Sequence, residues 1–267
     1  MEQVVDSAVH LGVTHRSAVD AWECDQMEHL NVRFYGSRFS EAEAFALARV
    51  GMAPTCSLDD DMQFAHELRR GAALRVESEH HGGSGFVHRL FDEDRATPAA
   101  TLHARFVHVD DSADGTGPDC SGEGWIGTGL RVLDSAHCTA LGTPSRAALL
   151  GLLNQAAVHL GLDRHRLRDG DGRLLTGTAV VACRLRRFTS AAPGTLMALH
   201  SRIASCGRTS IRMQHQLTDE ATGAVLALAA VTSVFFDTST RRPCLVPQAL
   251  RDRAASTDSS TPAQLQP

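Results

Sequence analysis

The alternation of apolar and polar positions changes period several times along the chain, and the changes mark out elements. Ser40 to Gly51 (SEAEAFALARVG) is rich in helix formers and stops on a glycine suited to a helix C-terminus, and Leu150 to Gly161 (LGLLNQAAVHLG) repeats this pattern. The two closing glycines stand 110 positions apart. After each helix a glycine opens an alternating stretch, Gly71 before ALRVES and Gly194 before LMALHSRI, now 123 positions apart, so the second copy carries a longer connection. A Gly-Ser turn follows in both, HHGGSG at 80–85 and SCGRTS at 205–210. Strands of period two come next, clearest where Ile211, Met213, His215 and Leu217 alternate with Arg212, Gln214 and Gln216. The last runs are LHARFVHVD and ALAAVTSVFFD, and Val225 to Phe236 is apolar at nearly every position, as in a central strand covered on both faces. One helix followed by three strands therefore occurs twice.

A helix that precedes several antiparallel strands must bury its apolar side against one face of their sheet, so each copy predicts an α+β layer. The expected organisation is a first domain over 1–110, a linker over 111–124, a second domain over 125–252 and a tail over 253–267. Linker and tail rest on composition: Asp110 to Gly124 is a run of Asp, Gly, Ser and Pro, Arg253 to Pro267 ends in Ser, Thr, Pro and Gln, and neither shows apolar periodicity.

At 267 residues, 43% hydrophobic and 21% charged, the chain is long and apolar enough for a globular core. All 26 basic residues are Arg, which excludes the lysine of a Walker phosphate loop, the kinase lysine and every Schiff-base lysine. A net charge of -5 argues against nucleic acid as a partner. The seven cysteines are scattered without a C-x-x-C pair, so neither a disulfide framework nor a metal site is expected, and reduced thiols point to the cytoplasm. The acids between Met1 and Leu11, and the lack of any run of roughly 20 apolar residues, predict no membrane association.

The densest chemistry precedes the first helix: Asp25-Gln-Met-Glu28-His29-Leu-Asn31-Val32-Arg-Phe-Tyr35. A carboxylate placed before a helix lies beside unpaired amides and the positive end of the helix dipole, where a developing oxyanion is stabilised. Other candidates carry structural readings instead. Ser40-Glu41-Ala-Glu43 fits a capping box. His80, His81, His103 and His108 lack Cys or carboxylate partners at metal spacing and suit solvated strand faces. Arg184, Arg186 and Arg187, with Arg164, Arg166, Arg168 and Arg173, are candidates for holding phosphates. No glycine-rich dinucleotide fingerprint follows a strand, so no redox cofactor is indicated.

The Asp25 to Tyr35 segment resembles the D-x-x-G-H-x-N signature, followed by Tyr, of hotdog-fold acyl-CoA thioesterases of the 4-hydroxybenzoyl-CoA thioesterase type, with Asp25, His29, Asn31 and Tyr35 at matching positions. With the repeated helix and strands, the chain resembles a double hotdog over most of Ala21 to Arg251. That resemblance implies two antiparallel sheets, each wrapped on a long central helix. It also implies Asp25 as nucleophile or general base, the Val32 N–H as the donor polarising the thioester carbonyl, and His29 and Asn31 shaping the turn or holding water. Glu28 stands where the family usually has Gly, and Val32 replaces a frequent second Asn; Glu28 is thus a second candidate base. The second copy offers Asp134-Ser-Ala-His137-Cys138, but the helix offset pairs Asp25 with Ser135, so that copy reads as catalytically degenerate. In a double hotdog it still walls the pocket, with Asn154, Gln155, Arg208, Thr209 and Ser210 as candidate contacts. The implied substrate is an acyl-CoA or acyl carrier protein thioester, with coenzyme A as part of the substrate and no further cofactor, and a homo-oligomer is expected from the sheet edges. A non-catalytic thioester-binding module is the rival reading. An enoyl-thioester dehydratase or hydratase is a second, and its D-x-N-P-x-H string is missing here.

Overall fold

The computed structural model describes residues 8–106, 120, 122, 124–139, 141–172, 174–188 and 191–255. Most of the expected linker and tail, together with His108 and Arg173, lie outside the described residues. The first half contains β1 (Val9–Ala18), α1 (Val32–Arg49), β2 (Asp59–Phe64), β3 (Ala73–His80), β4 (Gly85–Asp92) and β5 (Ala100–Arg105). The second contains β6 (Ile126–Val132), α2 (Arg146–His159), β7 (Thr176–Arg187), β8 (Leu196–Cys206), β9 (Ser210–Asp219), β10 (Val225–Asp237) and α3 (Gln248–Ala255).

The strands form one continuous antiparallel sheet in the order β1-β3-β4-β5-β2-β7-β10-β9-β8-β6. Read from either outer edge, the two halves have the same order: first strand, third, fourth, fifth, second. The expectation of two separate sheets is corrected here. β2 and β7, which would each end a five-stranded sheet with unpaired backbone groups, pair with one another and remove both edges. The register sets Asp59 opposite Arg186 and Asp61 opposite Arg184, so opposite charges face each other across the join. Among the described residues each half has five strands, one before its helix and four after it, where the pattern of apolar positions showed three.

Helix α1 begins at Val32, eight residues before the expected start, with the Asn31 side chain accepting from Arg33 N. Residues 32–39 are poor helix formers, but Tyr35, Gly36 and Phe39 continue the buried stripe of Ala42, Ala46 and Leu47, and burial overrides propensity. Ser40 and Glu43 are therefore mid-helix, and the capping-box reading is corrected. The helix does end as expected, with Gly51 at φ 71° beyond the Val50 cap, and Gly161 closes α2 at φ 87°. The two helices lie against each other at Gly36, where a Cβ would meet Leu150 Cδ1 at 2.8 Å and Ala147 N at 3.2 Å. Only a residue without a side chain admits that approach.

Under the helices lies one core running through both halves, from Phe39, Met62, Leu74 and Leu102 to Leu150, Leu185, Met213 and Phe235. Leu226 to Val231 of β10 are buried at six successive positions, as the apolar run predicts for an interior strand.

Between the halves sits a buried ionic cluster. Arg146, the first residue of α2, donates to Asp60 of β2 (2.9 and 3.2 Å), Glu43 of α1 (3.0 Å), Ser57 (3.0 Å) and Ser40 (3.0 Å). Arg187 adds a 2.6 Å bond to Asp60, and Arg186 pairs with Asp59 at 3.0 Å. Burial alone would push the Asp60 carboxyl up, but the Arg146 and Arg187 guanidiniums hold it well below the usual carboxylate range. For Glu43 burial wins over Arg146, and its carboxyl is raised. Arg186 and Arg187, expected as phosphate holders, are thus engaged in joining the halves.

Candidate active site

The segment leading into α1 is a closed turn. A one-turn 3-10 helix at Ala21–Glu23 is followed by an isolated bridge between Cys24 and Leu30, and the chain returns through Asp25 N to His29 O at 2.8 Å. The Asp25 Oδ1 accepts from Met27 N (2.8 Å) and His29 N (3.1 Å), so backbone amides orient the carboxylate. Glu28 takes the left-handed conformation at φ 61° that this turn requires. The signature's Gly at that position now has its physical reason.

The second half builds the same turn, and its hydrogen bonds define the true correspondence. Thr139 N donates to Thr143 O at 2.7 Å, Gly142 has φ 77°, Cys138 bridges Pro144, and Ser145 caps α2 through Ala148 N. Asp25 therefore corresponds to Thr139, Glu28 to Gly142, His29 to Thr143 and Asn31 to Ser145, an offset of 114. The pairing of Asp25 with Ser135 is corrected: α1 has 18 residues and α2 has 14, so an offset of 110 taken at the helix ends fails by one turn at their starts. No carboxylate occupies the mirror position, where Thr139 and Thr143 share a 2.9 Å hydrogen bond and Cys56 Sγ lies 3.4 Å from Thr143 Oγ1. Asp134 instead caps the one-turn 3-10 helix at Ser135–His137 and pairs with His137 at 2.9 Å.

A cavity of about 840 Å³ opens at the first turn and runs between the halves. Of the candidate residues named above, Asp25, His29, Asn31, Val32, Tyr35, Asn154 and Arg166 line it. Glu28 points outward towards Arg70 at 3.6 Å, Gln155 accepts from Arg131 at 3.2 Å, and Arg208, Thr209 and Ser210 belong to the β8–β9 turn, so these do not share the cavity. Polar and apolar groups share the wall almost evenly, and its apolar part includes Phe64, Leu150, Leu153, Val158, Leu162, and on β7 and β10 Gly177, Val180, Val181, Val231 and Phe236. Sequence reasoning found the α2 helix that carries Leu150, Leu153 and Val158 but not its role as wall, and the rest of the wall is mostly ordinary strand residues without local chemistry. Arg69, Arg95, Arg166 and Arg241 supply its positive charge. Arg166 is held by Asp163 (2.8 Å) and Thr178 (2.7 Å), and Arg168 donates to Gly172 O.

Tyr35 lies on the wall with its hydroxyl between Leu68 N (3.1 Å) and His66 O (3.3 Å). Burial raises that phenol, which therefore pins the segment after β2 to α1 as a neutral group. His29 is held neutral mainly by burial, which lowers its pKa together with Arg241 and Arg69, against the opposing pull of Asp25. Val32 occupies the first helical position, where geometry leaves the amide without an intrahelical acceptor. A carboxylate and a helix-start residue thus line the same partly apolar cavity.

Residues 136–254 match the profile of the Thioesterase-like superfamily. Comparison with curated proteins gives no significant match. Among solved structures, the chain is similar to a Lactobacillus plantarum protein assigned as an oleoyl thioesterase (TM-score 0.62, 8% identity, 86% of this chain and 97% of that one). It is also similar to an acyl-ACP thioesterase of Bacteroides thetaiotaomicron (0.56, 9%, 83% and 96%) and to the 12:0-ACP thioesterase of Umbellularia californica (0.55, 10%, 85% and 93%). These likenesses establish a hotdog-type fold across both halves.

Proposed function

From a hotdog fold whose second half matches the Thioesterase-like superfamily, we propose that the protein is a hydrolase of acyl thioesters, with Asp25 as its working carboxylate. The observation that supports this best is the cavity itself, whose lining brings together the Asp25 carboxylate, the first turn of α1 and an apolar wall drawn from both halves. An aliphatic acyl group fills the chamber, and a volume of about 840 Å³ is within the range of small-molecule sites. The thioester carbonyl then lies at the helix start, where the Val32 N–H and the helix dipole stabilise the oxyanion.

Two routes use the same residues. Asp25 attacks the carbonyl carbon, the C–S bond breaks, the thiolate leaves and takes a proton from water, and a water molecule hydrolyses the acyl-aspartate to free acid and Asp25; or Asp25 takes a proton from water, which attacks the carbonyl carbon, the C–S bond breaks and that proton passes to the leaving thiolate. Neither needs a metal or a redox cofactor, and coenzyme A enters as part of the substrate. Carboxylate chemistry belongs to the first half and the cavity wall to both, giving one reactive site per chain. A cytoplasmic homo-oligomer acting on coenzyme A or acyl carrier protein thioesters completes the reading.

Release of free thiol from a panel of acyl-CoA thioesters of increasing chain length tests it. Turnover with aliphatic substrates that is lost in Asp25→Asn is the expected result. Saturable binding of the same thioesters without any release would establish a binding module instead.

A further inference from the structure

We propose that Arg241, carried by the second half on the turn after β10, is a positioning residue for the first-half site: it engages the Glu67 carboxylate so that His29 stays neutral beside Asp25. The proposal rests on Asp25 being the working carboxylate.

Arg241 forms an ion pair with Glu67, and Glu67 Oε2 lies 3.4 Å from His29 Nε2. The link therefore crosses from one half to the other and ends on the catalytic turn, where the His29 amide donates to Asp25 Oδ1 at 3.1 Å. The turn that carries Arg241 is built independently of its side chain. The Asp237 carboxylate accepts from Ser239 N (3.0 Å), Ser239 Oγ (2.6 Å), Thr240 N (2.8 Å) and Thr240 Oγ1 (3.1 Å), and Arg241 N donates to Asp237 O at 2.9 Å. Arg241 itself adopts φ 58°, a conformation a non-glycine residue takes at a cost, and its guanidinium lies over the Phe236 ring at 4.5 Å. A local backbone cost and a stacked ring together aim the guanidinium at Glu67 and at the cavity.

The electrostatic consequence follows from what surrounds His29: Asp25 on its own turn, Glu67 and Arg69 on the segment after β2, the neutral Tyr35 of α1, and Arg241. An unpaired Glu67 carboxylate 3.4 Å away would favour the imidazolium. That cation would neutralise Asp25 and weaken it as nucleophile or base. Arg241 cancels the pull of Glu67.

The test is an NMR titration of the His29 imidazole in the full chain, with its signal assigned by loss in His29→Asn. Arg241→Asn keeps a residue tolerant of the left-handed backbone and removes the cation. The His29 midpoint is expected to move up in Arg241→Asn and to come part of the way back in Arg241→Asn/Glu67→Gln, the remainder being the direct effect of the lost cation. An unmoved midpoint in the single variant, or an equal rise in the double one, overturns the proposal. On the best thioester substrate, the ratio of kcat/KM at pH 6 to that at pH 8 should fall in Arg241→Asn, by up to about threefold for a shift of half a unit. The titration needs no turnover, so an inactive protein would refute the thioesterase reading while the spectra still decide the Arg241–Glu67–His29 coupling.

Discussion

Arg146 Nε donates to Asp60 Oδ2 across 2.9 Å, with both side chains almost wholly buried, and this bond ties the helix of one half to the inner strand of the other. Replacing Arg146 by Leu would leave Asp60 with Arg187 as its remaining ion-pair partner and Glu43 with none of its own. Loss of a buried partner of this kind costs about 3–5 kcal/mol. Urea unfolding of Arg146→Leu should show that loss, and a midpoint unchanged from wild type would mean that the cluster contributes nothing to joining the halves.

Asp25→Asn keeps an oxygen to accept from Met27 N and His29 N, so the turn should persist while the negative charge disappears. Thioester turnover is expected to drop about 100-fold or more, the scale of losing a base or nucleophile. Circular dichroism and the unfolding midpoint check that the fold is kept; activity within a few-fold of wild type would remove Asp25 from the mechanism.

Gly177 faces Phe236 across the β7–β10 pair, and a Cβ there would meet Phe236 Cζ at 2.4 Å. Since both residues line the cavity, Gly177→Ala should push the ring and alter the chamber. The expected outcome is a KM for the longest accepted acyl chain that rises several-fold more than that for the shortest. A uniform change across chain lengths would place this wall outside the acyl path.

The two halves also share a buried hydrogen-bond chain. Thr14 Oγ1 donates to Val76 O, Ser78 Oγ lies 2.6 Å from Thr14 Oγ1, and His88 Nδ1 lies 2.6 Å from Ser78 Oγ; Thr128, Leu199 O, Ser201 and His215 repeat it at 3.2, 2.7 and 2.8 Å. With each hydroxyl proton committed along the chain, Nδ1 must be the donor, which leaves Nε2 as a bare acceptor; both Nε2 atoms are buried without a partner. Burial lowers both imidazoles to about 3, whereas the unfolded chain protonates near 6.5. The unfolded state therefore binds more protons below pH 6.5, and stability is lost as pH falls from there towards 3. Each histidine adds a slope of about 1.4 kcal/mol per pH unit. His215→Gln should flatten the dependence between pH 6 and 4 in denaturant titrations; an unchanged slope would show that His215 is protonated in the folded protein.

Where the chain is regular, its sequence was a good guide: the helix ends at Gly51 and Gly161, the glycines opening β3 and β8, and the alternation of β9 all match the fold. The strands that escaped notice did so for physical reasons. β2 reads DDDMQF, and three aspartates resemble an acidic loop until Arg186 pairs with Asp59, Arg146 and Arg187 pair with Asp60, and Arg184 comes to lie opposite Asp61 from the other half. β1 breaks its alternation with register shifts between His10 and Gly12 and between Val13 and His15. The turn of Asp25, His29 and Asn31 was legible because its chemistry is local. Glu67 and Arg241 were not, since they are 174 residues apart and meet only in the folded chain.

Because β2 and β7 join inside one polypeptide, the turn that carries Asp25 and the wall that faces it are covalently tethered. Tethering makes their encounter intramolecular, at an effective concentration that no dilution lowers. Specific activity per mole of chain should therefore hold constant from micromolar enzyme down to the most dilute assay, where a site shared between two separate chains would come apart.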